Sequence, residues 1–149
     1  MKISAKGEYA YRSVYELARY YLTDRDAVLQ LEEIASRQKI PRKYLVQILL
    51  QLKKAGLVGA RRGASGGYYL RRPPSQITLG EVLELVDGPM SWGIRAGEVQ
   101  GVSGRDELAT ALMPVFDQVQ QCIRQSFHSL DFEEICRRAQ NTSSNMYFI

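Results

Sequence analysis

The sequence predicts a mainly α fold with one small β-hairpin, closed by a long C-terminal helix. Three observations carry that expectation. Apolar residues recur at helical spacing in three successive N-terminal stretches. Two short apolar and aromatic runs then flank a glycine-rich basic turn. Finally Leu108, Leu112, Val115, Val119 and Cys122 recur in alternating steps of four and three, a heptad-like seam.

Taken in order, Lys6 to Leu22 places Ala10, Val14, Leu17, Ala18 and Tyr21 on one helical face, and the polar run 23–26 ends it. A short helix over Gln30 to Arg37 turns Leu31, Ile34 and Ala35 inward. Pro41 suits the first turn of a third helix, because its missing N–H costs nothing there. That helix runs to Lys54 or Ala55 with Leu45, Ile48, Leu49 and Leu52 inside, and Gly56 supplies the left-handed residue that ends it. The runs 57–60 and 68–70 form the hairpin, with Arg61, Arg62 and three glycines at its tip. Thr78 and Glu81 form a capping box for a fourth helix, with Leu79, Val82, Leu83 and Val86 inward, ending at Gly88-Pro89. The stretch from Gly88 to Gly104 holds five glycines and no period, which predicts a long loop, functional or mobile. A long helix follows from about Asp106 to Leu130, and Pro114 predicts that it either begins later or kinks. A second capping box at Asp131 opens a short last helix through Ile135 and Arg138, and 141–149 reads as a flexible tail. The divisions expected are 1–76, 77–140 and 141–149.

Composition excludes several classes. With 149 residues, 45% hydrophobic and 24% charged, the chain is one ordinary globular unit, not a disordered one. No run of about 18 apolar residues offers a membrane span, and the first residues lack a secretory signal, which predicts a cytoplasmic protein. Two cysteines and one histidine are too few for a multi-histidine or four-cysteine metal site within one chain, and no metal and no cofactor are expected. The net charge of +4 conceals a split: residues 1–75 hold 15 Lys or Arg against 6 Asp or Glu, whereas 76–149 hold 5 against 10. Such a one-sided field suits docking on a polyanion. An enzyme is excluded by the lack of an acid–base pair or nucleophile set. The glycine-rich turn 63–67 also lacks the Gly-Lys-Ser/Thr ending of a phosphate loop.

Three helices followed by a basic hairpin outline a winged helix-turn-helix, whose third helix enters a major groove while the hairpin reaches phosphates or the minor groove. On a helical wheel Lys43, Gln47, Leu50 and Lys54 lie opposite the buried stripe, flanked by Arg42, Val46 and Gln51. Lysine and arginine there neutralise phosphate, Gln47 can bond an adenine edge, and Val46 can touch a thymine methyl. Leu50, awkward on a groove-facing surface, is expected to pack against the hairpin or another helix. Taken singly, Lys43 and Lys54 also fit solvated helix charges, and Arg61 and Arg62 a soluble sheet edge. A winged helix that docks an acidic protein is the rival from another class.

The runs 55–58, Arg62-Gly63-Ala64-Ser65-Gly66-Gly67-Tyr68-Tyr69-Leu70 and 77–82, with 3–10 and 40–45, closely resemble the bacterial Rrf2 family of transcription regulators. The resemblance is close to about Asp87 and architectural beyond. It implies a homodimer on a roughly palindromic duplex operator, clasped along the long helix at Leu108, Leu112, Val115, Val119, Cys122 and Ile123, with Arg62 in the minor groove. The DNA-contacting set is then Lys6, Arg42, Lys43, Val46, Gln47, Gln51, Lys54, Arg61 and Arg62.

Two departures qualify it. Family members that sense through an iron–sulfur cluster carry three cysteines in the loop after the fourth helix, and here 90–104 contains neither cysteine nor histidine. Glu8, at a position that supplies an acidic ligand in some relatives, is expected to be a surface residue. Val46 replaces a residue that is often polar, so no operator sequence carries over. Control stays open among a small-molecule or protein effector at the loop (Trp92, Ile94 and Arg95), a thiol switch at Cys122 and Cys136, and constitutive action. Both cysteines lie at apolar helical positions, which favours packing over redox chemistry. His128, near a helix end, is expected to cap or to face solvent.

Overall fold

The computed structural model describes residues 3–89 and 107–146. Six helices, α1 (Ala5–Thr23), α2 (Leu31–Gln38), α3 (Arg42–Lys54), α4 (Leu79–Asp87), α5 (Glu107–His128) and α6 (Phe132–Met146), accompany a hairpin of β1 (Val58–Arg61) and β2 (Gly67–Leu70). The candidate loop residues Trp92, Ile94 and Arg95 lie outside the described residues.

Helix α1 is the central rod. Ser4 caps it, its hydroxyl accepting from the Gly7 N–H at 2.9 Å. Ala10, Val14, Leu17 and Ala18 are buried as their spacing predicts, against α3, α4 and α6. Between them Glu16 is fully buried, facing Arg19 at 3.4 Å, Arg37 at 3.8 Å and the Gln38 amide, so one carboxylate ties α1 to the end of α2. The turn from α2 to α3 passes through Lys39 in the left-handed region at φ 53°. Pro41 takes the N-cap of α3, one position before the first turn where it was expected. At the other end Gly56 (φ 77°) donates to Lys53 O while Leu57 donates to Leu52 O, the paired bonds that close a helix on a left-handed residue.

The hairpin is antiparallel, Val58 opposite Leu70 and Arg61 opposite Gly67. Its second strand also exchanges two backbone bonds between Tyr68 and Leu29, just before α2. Gly67 permits this approach: a Cβ there would lie 2.3 Å from Leu29 O. The Gln30 side-chain amide adds a bond to Ala64 O. Hairpin and α2 are therefore stapled together.

Several expectations need correction. The Thr78 hydroxyl accepts from the Glu81 N–H, but the Glu81 carboxylate is taken by Arg72, so the expected capping box is half made. The core is continuous across residue 76: Val82 and Val86 of α4, with Phe132 and Cys136 of α6, belong to the same cluster as Val14 and Leu45. Helix α5 begins at Glu107, before Pro114, which is its eighth residue. Helix α6 is not short and 141–146 is not a loose tail. It runs to Met146, with the hydroxyls of Thr142, Ser143 and Ser144 each donating to the carbonyl four residues back. His128 stands in the last turn of α5, half-buried rather than on open surface. Its ring lies over Gly80, where a Cβ would be 2.6 Å away, and its Nε2 is 3.3 Å from Glu84.

A lysine in the left-handed region is strained by its Cβ, which glycine lacks. Lys39→Gly is expected to raise stability by about 1 kcal/mol in urea unfolding, provided the turn keeps its geometry; an unchanged or lower midpoint would contradict it.

Candidate nucleic-acid interface

The inner face of α3 fixes its outer one. Leu45, Ile48, Leu49 and Leu52 are buried, which leaves Arg42, Lys43, Val46, Gln47, Leu50 and Lys54 exposed on the opposite side. Lys53 and Lys54 stand in the last turn, where positive charge also complements the helix dipole. At the hairpin tip Arg61 and Arg62 are exposed.

The nine residues assigned to this surface do not share one state. Lys43, Val46, Gln47, Lys54 and Arg62 are exposed on α3 or the hairpin tip. Arg42 is exposed too, but its guanidinium bonds Glu32 at 3.1 Å, and Arg61 lies 3.8 Å from Asp26 with its guanidinium over the Tyr69 ring. Lys6 is half-buried and donates to Val86 O at 2.8 Å, so its ammonium crowns the end of α4. Gln51 is half-buried, and its Oε1 is enclosed without a hydrogen-bond partner among the described residues. That geometry turns Gln51 inward. Leu50, expected to pack against the hairpin or another helix, stays 50% exposed and outside the core cluster. The wheel had placed it opposite the core, and only its hydrophobicity argued for a buried position.

Between the start of α1 and α3 lies a hollow of about 450 Å³ lined by Ala5, Lys6, Tyr9, Tyr44, Gln47 and Ile48. Tyr9 and Tyr44 form its aromatic wall, with ring centroids 6.1 Å apart. Sequence periodicity gave no sign of this hollow, because it depends on how close α1 and α3 lie. Below it the Ser4 hydroxyl donates to Asp87 at 2.7 Å, joining the first turn of α1 to the last residue of α4. Glu8 is a surface residue paired with Arg12 at 2.6 Å.

On α5 the expected seam stands open. Val115 is 51% and Val119 50% exposed, with Leu108, Leu112 and Cys122 also exposed and Ile123 half-buried. A second apolar feature adjoins it, a groove of about 460 Å³ walled by Tyr11, Tyr15, Phe127, Phe132 and Ile135. Burial, helped by the negative charge of Asp87, pushes the Tyr11 hydroxyl up to about 12.

The two thiols sit in opposite environments. Cys122 is exposed on the α5 seam, whereas Cys136 is buried in the core. Burial pushes the Cys136 thiol from 9.0 up to about 11, with Glu133 and Glu16 adding to the rise against Arg19. A neutral, enclosed thiol is a poor nucleophile and a poor metal ligand.

The chain matches the family described as Rrf2, iron-dependent transcriptional regulator, over residues 3–138. It is 40% identical over 89 residues to an HTH-type regulator of Rhodobacter capsulatus named rrf2-like, covering 60% of this chain and 59% of that protein. It is also 40% identical over 105 residues to the regulator IscR of Cereibacter sphaeroides, covering 70% of this chain and 67% of the other. The chain thus spans between 55% and 59% of the length of the first curated relatives it matches. Its fold is similar to that of CymR, the global cysteine regulator of B. subtilis, with a TM-score of 0.76 and 28% identity over 93% of this chain and 98% of that one. These likenesses establish a winged-helix fold. For the iron dependence in the family's description the chain offers two cysteines, one of them enclosed in the core, and among the described residues no three His, Cys, Asp or Glu side chains converge.

Cys136 should therefore stay unreactive toward a thiol reagent at pH 8 in a Cys122→Ser variant, until denaturant unfolds the chain. Because folding holds the proton on this thiol, its stabilising contribution is complete below pH 9. It should then decline as pH rises toward 11. Prompt labelling of the folded variant, or a flat urea midpoint across that window, would contradict the assignment.

Proposed function

The chain belongs to the Rrf2 family of transcriptional regulators, and from that premise we propose that it binds duplex DNA sequence-specifically as a homodimer. In this reading it acts as a repressor in the cytoplasm, on a roughly palindromic operator. The observation that carries the reading is the outer face of α3, where Lys43, Gln47 and Lys54 stand exposed opposite four buried core residues. Lys43 and Lys54 neutralise phosphates, while Gln47 offers both a donor and an acceptor to an adenine edge. Arg62 at the hairpin tip extends the basic surface toward the neighbouring minor groove. Arg42 and Arg61 exchange their exposed carboxylate partners for phosphate, which surface ion pairs of this kind permit at small cost.

The dimer rests on α5. A ridge with two valines half-exposed in a single chain is stabilised by covering it, and a second copy offers the same ridge in self-complementary form. Two copies also present two reading helices, which matches a two-fold symmetric site. No described helix is long and apolar enough to cross a membrane. Control is assigned to an effector, small molecule or protein, acting on the stretch that holds Trp92, Ile94 and Arg95. No iron–sulfur step enters, and Cys136 is too enclosed for a thiol switch.

Binding to duplexes enriched from a random pool tests the reading by fluorescence anisotropy. Log K should fall with log salt by about 0.9 per phosphate neutralised. Arg62→Ala should weaken all enriched duplexes, whereas Gln47→Ala should cost about 1–3 kcal/mol at one base position and relax its preference. Salt-independent binding, or full affinity in both variants, would refute the placement of helix and hairpin. Sedimentation should find a dimer, converted to monomer by Val119→Asp; a monomeric parent protein would refute the clasp.

A further inference from the structure

Resting on the DNA-binding reading, we propose that Leu50 and Val46 are specificity-determining residues, which together recognise the C5-methyl groups of thymines in the major groove. Leu50 is 50% and Val46 43% exposed, although the core face of α3 is already filled by four buried side chains. Their exposure is thus not a shortfall of packing within the chain. Both stand among Lys43, Gln47, Lys53 and Lys54, so the apolar pair is ringed by groups that suit a phosphate-lined groove.

The chemistry selects one target. Of the base-pair edges in a major groove, only thymine carries a methyl group; apart from the small C5–H of cytosine, the neighbouring positions are hydrogen-bond donors and acceptors that an aliphatic side chain leaves unsatisfied. Leu50 and Val46 are four residues apart, one helical turn and about 6 Å along the axis. Two methyls one or two base steps apart, at about 3.4 Å per step, fall within that reach. Gln47 projects from the same turn as Val46, so the adenine it can bond and the thymine methyls sort together into an A·T-rich half-site. Leucine or valine set against a G·C pair instead would strip water from polar edges and return nothing.

Each thymine of an enriched duplex is replaced in turn by deoxyuridine, which removes the methyl and nothing else, and affinity for the full-length protein is measured. At one or two thymines per half-site the loss should be about fourfold, the worth of burying one methyl-sized group. Leu50→Ala should abolish the thymine–uracil difference at one such position, and Val46→Ala at the other. Both side chains are exposed and alanine favours helix, so the variants should keep the parent's urea midpoint. Uracil duplexes that all bind like their parents would overturn the proposal, as would discrimination that survives in both variants. A change of association state in Leu50→Ala with thymine discrimination intact would do the same, assigning Leu50 to a protein contact. If no duplex is enriched at all, the DNA-binding reading itself fails, a result distinct from each of these.

Discussion

How closely α1 lets its neighbours approach decides the rest of this structure. Gly7, Ala10, Ser13, Val14 and Ala18, all small, line its buried side beside the larger Leu17 and Glu16. At Gly7 a Cβ would already lie 2.8 Å from Leu83 of α4. Small residues on one helix allow the large ones on α3, α4 and α6 to interlock in a single close-packed core, where even one added methylene is felt. The buried Glu16 supplies direction where dispersion supplies none. Removing either the carboxylate or its cationic partners would strand a charge, so α2 meets α1 in one orientation. The pose of α3 follows, because α2 and α3 are joined by only a tight left-handed turn.

Electrostatics complete what packing begins. The cations of the first half of the chain are not spread evenly over the surface. Some are committed internally: Lys6 to a helix end, Arg37 to Glu16, Arg72 to Glu81. Others, such as Lys43, Lys54 and Arg62, face outward on α3 and the hairpin. A net surplus counted along the sequence therefore overstates the charge that can meet a polyanion, and only the folded arrangement separates the two groups.

Local rules made much of this legible. Apolar period placed α1, α3 and α4 within a residue or two, and glycine marked both the end of α3 and the turn of the hairpin. Those signals lie in neighbouring residues. What escaped lies in distant ones: Gln51 turning inward, Lys6 reaching Val86, Arg72 taking Glu81 away from its cap, and His128 settling over Gly80. The length of α6 escaped for another reason. Thr142, Ser143 and Ser144 read as turn residues in isolation, but their hydroxyls bond back into a helix already anchored by Phe132 and Cys136. Leu50 is half exposed, as its place on the wheel opposite the core dictates, although its hydrophobicity alone argues for burial.

The bond from Ser4 to Asp87, with Lys6 on the neighbouring carbonyl, closes the stretch between them into a ring of contacts. The Leu29–Tyr68 staple sits inside that ring, and the strap at 130–132 pairs with 77–79 across its edge. An engineer building chimeras from this scaffold thus has no modular hairpin or lone reading helix to transplant. The smallest exchangeable cassette runs from Ser4 through Asp87 and must bring α6 with it, since Phe132 and Cys136 are the floor on which it stands.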